Sequence, residues 1–114
     1  MRRTLAMAAL IATLTIAGAE PPEVQRVEVV AKRYSFTPAE IVLKRGVPVE
    51  LDITALDFTH GFKVPDLDIR VDLVQGQVTR VTFTPDKAGR FDFLCDNFCG
   101  AGHEEMGGHF VVRD

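Results

Sequence analysis

The sequence contains no tryptophan, a single tyrosine and only two cysteines among its 114 residues. Positive charge is also scarce, because 13 Lys and Arg stand against 16 Asp and Glu, for a net charge of −3. Nucleic acids and anionic lipid surfaces both need a basic face, so we expect neither as a partner. No apolar run reaches the ~20 residues that a membrane-spanning helix needs.

The N-terminal segment is typical of a secretory signal peptide. Two arginines precede an apolar stretch from Leu5 to Ile16, and the small residues Ala17-Gly18-Ala19 fit a cleavage site. We therefore expect a signal peptide at residues 1–19 and one small exported, periplasmic domain at residues 20–114, without a membrane span. Retention of the segment as an uncleaved anchor is the alternative.

Short β-strands account for the pattern of residues 20–114. Val47, Val49, Leu51 and Ile53 alternate with polar residues or proline, and Gly, Pro and Asp turn signals separate similar runs. Six to eight short strands without helical periodicity predict an all-β, antiparallel β-sandwich. The stretch 54–72 is less regular and is expected to be loop, with Phe62 and Val64 as the candidate start of a further strand.

The segment CDNFCGAGHEEM, residues 95–106, contains most of the candidate metal ligands. Two cysteines in an exported protein often pair, so a Cys95–Cys99 disulfide is one interpretation. However, His103 and Met106 add an imidazole and a thioether, and flanking glycines allow the turns that converging ligands need. A weak thioether beside Cys and His is typical of copper electron-transfer sites, whereas structural zinc sites use Cys and His alone. The segment therefore favours copper over zinc.

Two further histidines lie outside this segment. His60 comes after the Val47–Ile53 strand, and loops at one end of a sandwich converge, so it is a candidate ligand. His109 is interpreted as a structural residue on the outer or edge side of the last strand. Ligating histidines need a second hydrogen bond to fix the ring, for which Asp57 and Asp96 are candidates.

The spacing C-x3-C-x3-H-x2-M, with a distant upstream His, resembles the copper-A domain of cytochrome oxidase subunit II and nitrous-oxide reductase. The similarity runs from YSFTPAEIVLKRGVPVELDIT through HGFKVPDLDIRVDLVQGQVTRVTFTPDKAGRFDFLC to the ligand segment. It implies a cupredoxin-like Greek-key sandwich that holds two copper ions.

In that family, two cysteine sulfurs bridge the two coppers, and each copper also binds one histidine. A methionine is a weak ligand of one copper, and a backbone carbonyl between the two cysteines is a further ligand. Carried over to the matching positions, the resemblance implies these ligands: Cys95 and Cys99, His60 and His103, Met106, and the carbonyl of Asn97. Because a carbonyl is the donor at Asn97, its side chain is not expected to matter.

The chain lacks the membrane helices and the Trp-containing segment of the oxidase subunit. We therefore expect a free-standing carrier that exchanges single electrons with a partner such as a cytochrome c. Glu104 and Glu105 suggest a basic face on that partner. An enzyme is not expected, because five filled ligand positions leave no open one for substrate.

Three alternatives remain open from the sequence. The same ligands could serve a copper chaperone or storage protein that delivers copper to an enzyme. A mononuclear blue-copper protein would use His60, one cysteine, His103 and Met106. A metal-free binding module would contain the cysteines as a disulfide.

Overall fold

The computed structural model describes residues 23–114, and the predicted signal peptide lies outside the described residues. Strands dominate these residues, with two single 3₁₀ turns at Pro65–Leu67 and His103–Glu105. Within this part of the chain, no helix has the length and apolar character to cross a bilayer. The strands are β1 (Gln25–Lys32), β2 (Ser35–Thr37), β3 (Glu40–Lys44), β4 (Val49–Ala55), β5 (His60–Val64), β6 (Ile69–Leu73), β7 (Val78–Phe83), β8 (Gly89–Leu94) and β9 (Gly107–Arg113).

The strands form two sheets, ordered β2-β1-β4-β7 and β3-β9-β8-β5-β6. The predicted single-domain β-sandwich is therefore confirmed. Five strand pairings are antiparallel, whereas β1 with β4 and β3 with β9 are parallel. Parallel neighbours require a crossover rather than a hairpin. The chain supplies one when it leaves the first sheet for β3 and returns to it at β4.

The core has the alternation expected from the sequence. In β4, Val49, Leu51, Ile53 and Ala55 are buried, while the residues between them are only half-buried. Four buried phenylalanines, each at most 1% exposed, fill the centre of the sandwich. Phe93 packs against the other three, with ring centroids 4.9–5.4 Å apart. The three that it contacts are Phe36, Phe62 and Phe110.

The prediction of loop for residues 54–72 is wrong over much of its length, because β5 and most of β6 lie there. β5 pairs with β6 on one side and β8 on the other, so it is an interior strand. Four of its five residues are buried, but the strand is short and begins with His and Gly, so only Phe62 and Val64 supply the apolar alternation that identifies strands in a sequence. His60 is consequently the first residue of a strand rather than part of a loop.

Replacement of Phe93 by Ala is expected to lower the free energy of unfolding by about 3–5 kcal/mol, because it leaves a cavity among three other buried rings. Urea denaturation of the reduced apoprotein measures the change. Val78→Ala, at a side chain that is 63% exposed, is the control and should stay within about 0.5 kcal/mol of the wild type. Equal effects of the two substitutions would contradict this description of the core.

Candidate metal centre

The predicted ligands meet at one end of the sandwich, where β5 begins, β8 ends and β9 begins. The pairing of Lys63 with Leu94 brings β5 beside the end of β8. The Cys95 amide donates to the Met106 carbonyl oxygen at 3.0 Å. This bond extends the β8–β9 ladder by one step and closes residues 95–106 into a loop.

Cys95 lies against one histidine and one carbonyl. Its Sγ is 3.8 Å from His60 Nδ1 and 3.3 Å from the carbonyl oxygen of Asn97. The metal-binding atoms of His60, Cys95 and Cys99 all lie within 4.8 Å of one another. A strand end and a loop that are far apart in the sequence therefore present their donors to one small volume.

Cys99 has a second, different set of neighbours. Its Sγ is 3.7 Å from His103 Nδ1 and 4.0 Å from Met106 Sδ. The two thiols are thus each associated with their own imidazole. All six positions predicted from the sequence are brought together at this end of the sandwich.

The site is buried except at Asn97 and His103, which are half-buried. His60 is fully buried, and Cys95, Cys99 and Met106 are at most 2% exposed. Both cysteines are free thiols. Burial and, to a smaller extent, the neighbouring Cys95 raise the pKa of the Cys99 thiol. A metal must therefore displace a proton that this thiol otherwise keeps, which couples metal binding to pH.

Asp57 makes the hydrogen bond that the sequence suggested for it. Its Oδ1 lies 3.1 Å from His60 Nε2, and because a carboxylate can only accept, the ring proton is assigned to Nε2. The lone pair of Nδ1 then faces Cys95. Slight burial raises the pKa of Asp57, but hydrogen bonds from the Arg33 amide and from His60 outweigh it, and the net pKa is lowered. Asp57 thereby fixes both the tautomer and the orientation of a buried histidine.

Asp96, the other candidate for that role, contacts an arginine instead. Arg70 Nε donates to both of its carboxylate oxygens, at 2.9 and 3.2 Å, and the same guanidinium also pairs with Asp72. A side chain at Gly61 would overlap Asp96 Oδ1. The Arg70–Asp96 pair therefore holds the start of the loop of residues 95–106, here called the ligand loop, against β5 and β6. Arg70 has no spacing relation to the ligands, so the sequence did not single it out.

The side chain of Asn97 has a role that the sequence interpretation did not assign. Its Nδ2 donates to the Thr59 carbonyl oxygen at 2.6 Å, which ties the middle of the ligand loop to the residue before His60. This bond holds the Asn97 backbone where its own carbonyl faces Cys95. The sequence interpretation considered only the carbonyl at this position, and the structure adds this side-chain contact.

Two glycines of the ligand loop are required for different reasons. Gly100 has a φ of +139°, a conformation that other residues rarely adopt. Gly102 has an ordinary φ of −94°, but a Cβ there would lie 2.5 Å from a ring carbon of Tyr34. Tyr34 thus packs against the loop from the β1–β2 turn. It is another site residue without a signal in the sequence.

His109 occupies the position predicted for it, away from the ligands. Its side chain is 22% exposed, and its Nε2 lies 3.3 Å from a carboxylate oxygen of Glu40 on β3. It pairs with a neighbouring strand and does not face the thiols. The remaining histidines, His60 and His103, are the two whose Nδ1 atoms face sulfur.

The fold and the site together define a β-sandwich with a buried thiol, imidazole and thioether centre at one end. Residues 4–112 match the family described as the cupredoxin-like domain. The chain belongs to that family.

Two proteins from other organisms are similar to this chain in sequence. A cytochrome c oxidase subunit 2 of Thermus thermophilus is 32% identical over 93 residues, which cover 82% of this chain and 69% of the relative. A nitrous-oxide reductase of Ralstonia nicotianae is 37% identical over 91 residues, covering 76% of this chain but only 14% of the relative. The resemblance inferred from the ligand spacing is confirmed.

A solved structure agrees on the fold. The periplasmic domain of subunit II of cytochrome oxidase of Bradyrhizobium japonicum superimposes with a TM-score of 0.72 at 18% identity. The match covers 79% of this chain and 84% of that domain. The cupredoxin-like sandwich is therefore shared even where the sequences have diverged.

Replacement of Asp96 by Asn in the reduced apoprotein is expected to lower the free energy of unfolding by about 1 kcal/mol at pH 7. Arg70 lowers the pKa of Asp96 through its hydrogen bonds, against the opposing effect of partial burial. A carboxyl whose pKa is lowered by folding stabilises the protein above its unfolded pKa of ~3.9, and this stabilisation is lost as the pH falls through the folded value.

The difference in the free energy of unfolding between the wild type and Asp96→Asn should therefore shrink below about pH 4. Urea unfolding between about pH 2 and 7 measures this difference. Asp92→Asn is the control, because Asp92 pairs with Arg90 while its side chain is 69% exposed. We expect an effect within about 0.5 kcal/mol there. A difference for Asp96→Asn that stays constant across this pH range would contradict the role of its charge.

Proposed function

We propose that this protein is an exported electron carrier whose ligand loop holds two copper ions in a copper-A type centre. Bound copper would supply a one-electron couple shared between the two metals. The ligands are Cys95, Cys99, His60, His103, Met106 and the carbonyl of Asn97.

The observation that carries the proposal is the pairing of each imidazole with a different sulfur. His60 Nδ1 faces Cys95 Sγ, whereas His103 Nδ1 faces Cys99 Sγ. A mononuclear blue-copper site would direct both imidazoles at one thiolate and leave the other cysteine idle. Here each cysteine has its own imidazole and one weaker donor, Asn97 O or Met106 Sδ.

The donor set suits copper. Thiolates and thioethers are soft ligands that select copper over magnesium, calcium or manganese, and imidazole is compatible with them. The fully buried His60 is already oriented by Asp57, so its ring needs no rearrangement to bind a metal. A fixed ligand geometry favours electron transfer, because little has to move when the charge of the centre changes.

The position of the main surface cavity is consistent with a carrier rather than an enzyme. A cavity of about 610 Å³ lies where β5 and β7 end and β8 begins, at the opposite end of the sandwich from the ligands. Its lining includes Asp66, Phe83 and Phe91 but no cysteine or histidine. Substrate bound there would be separated from the centre by the phenylalanine core.

The exposed edge of the centre is where we propose that a redox partner docks. His103 is half-buried, and its ring lies 5.7 Å from that of Phe98, which is 75% exposed. Glu104 and Glu105 are exposed beside it. An apolar contact with an acidic rim fits a partner that has a basic face around an exposed cofactor edge, such as a cytochrome c.

The cellular location is part of the same proposal. The predicted signal peptide at residues 1–19 and the periplasmic domain among the similar structures both support export. Two reduced cysteines in an oxidising compartment would need protection from pairing. Bound copper would provide that protection by occupying both thiolates.

Reconstitution of the reduced domain with copper is expected to give two coppers per chain and a purple species. Cys95→Ser and Cys99→Ser should each abolish that species, because each removes one of the two thiolates that would hold the coppers. His109→Ala is the matched control and should change neither stoichiometry nor colour. Metal analysis with visible spectroscopy measures both. One copper and a blue colour would support the mononuclear alternative, and no tight copper would contradict the proposal.

The copper-loaded protein is expected to exchange electrons rapidly with a basic cytochrome c in stopped-flow mixing. Glu104→Gln with Glu105→Gln should slow the reaction about three- to tenfold at low salt and less at high salt, because steering by charge is screened. Glu28→Gln, at an exposed position on β1, is the control. Slow electron exchange together with copper transfer to an apo-enzyme would instead identify a copper chaperone.

A further inference from the structure

We propose that Arg33 is a positioning residue of the metal centre, and that it acts through a hydrogen bond from its Nε rather than through its charge. The inference rests on the proposed copper function. Arg33 lies in the turn between β1 and β2, outside the segments that supply the ligands.

Arg33 contacts both sides of the centre. Its Nε donates to the carbonyl oxygen of Cys99 at 2.6 Å. Its backbone N–H donates to the two carboxylate oxygens of Asp57 at 3.0 and 3.3 Å, and Asp57 in turn accepts from His60 Nε2. One residue therefore links the loop that carries Cys99 to the carboxylate that orients His60.

The side chain of Arg33 is itself fixed. Its guanidinium carbon lies 4.4 Å from the ring centroid of Phe58, which packs against the core. Stacking of a guanidinium on an aromatic face restricts the rotamers of a long side chain. The direction in which Nε donates is therefore set by the protein, not by solvent.

The Cys99 carbonyl needs such a donor because the next residue is a glycine. Gly100 has a φ of +139°, and a glycine can rotate a peptide plane that another residue would hold. Within residues 23–114, Arg33 Nε is the hydrogen-bond donor to this carbonyl. Fixing the Cys99–Gly100 peptide fixes the direction of the Cys99 thiol, which must face both His103 and Met106.

Charge is the competing explanation, and the structure favours the hydrogen bond. Arg33 is exposed, so its field at the centre is screened by solvent and salt. The hydrogen bond to Cys99, in contrast, is partly buried. A short, directed bond loses little to screening.

Three substitutions separate the two explanations. Arg33→Gln places an amide nitrogen where Nε stands but removes the charge. Arg33→Lys keeps the charge but places a methylene there, and Arg33→Met has neither donor nor charge. Arg26→Met is the control, because Arg26 pairs with Glu50 at the far end of β1.

In the copper-loaded protein, we expect Arg33→Met and Arg33→Lys to lose copper to a Cu(I) chelator about tenfold faster, equivalent to ~1.4 kcal/mol. Both should also change the visible spectrum and the reduction potential. The rates of copper loss from Arg33→Gln and Arg26→Met should stay within about twofold of the wild-type rate. Wild-type behaviour of Arg33→Lys with loss in Arg33→Gln would overturn the proposal in favour of charge.

A second measurement needs no copper. In the reduced apoprotein, the backbone amide NMR signals of Cys99 and Gly100 should shift in Arg33→Met and Arg33→Lys but stay near the wild type in Arg33→Gln. Unchanged signals in all three variants would overturn the proposal. If the wild type binds no copper, the proposed function fails, but the NMR measurement on the apoprotein still decides the role of Arg33.

Discussion

The hydrogen bond between the Cys95 amide and the Met106 carbonyl is the constraint on which the centre depends. It adds one step to the β8–β9 ladder, so the ligand loop begins and ends on adjacent strands that cannot separate without breaking the sheet. The loop is consequently short and closed, and its ligand side chains are directed inwards. Two thiols, a thioether and an imidazole then share one small volume near the end of the core.

His60 reaches the same volume by a different route. It begins β5, an interior strand flanked by β6 and β8, and its side chain takes the same face as the buried Phe62. Asp57 accepts from the outer nitrogen of the ring and so directs the inner one at Cys95. The position of this candidate ligand therefore depends on a sheet pairing, and its orientation depends on a loop carboxylate.

Residues from outside the ligand set complete the centre from three directions. Arg70 holds Asp96 at the start of the loop, Thr59 anchors the side chain of Asn97 in its middle, and Arg33 reaches the Cys99 carbonyl from the β1–β2 turn. Each of these three contacts spans at least 26 residues of sequence. Together they explain how a glycine-rich loop keeps one conformation around buried thiols.

The sequence by itself determined the donor types and their spacing, because side-chain chemistry and local distance along the chain are written directly in it. It also predicted the sandwich and the alternating strand β4, whose two faces differ in polarity. It failed at β5, because this five-residue strand has only two apolar side chains in alternation, Phe62 and Val64, and begins with a polar histidine. His60 was therefore placed in a loop.

Only the tertiary structure decided which imidazole faces which sulfur, and which residues hold the loop. Asp96 could have oriented a histidine but pairs with Arg70, and nothing in the spacing of Arg33 or Tyr34 relates them to Cys99 or the glycines. Such contacts arise from strand pairing and loop convergence, which bring together residues that are remote in the sequence. The candidate ligands can therefore be identified from the sequence, whereas the residues that position them cannot.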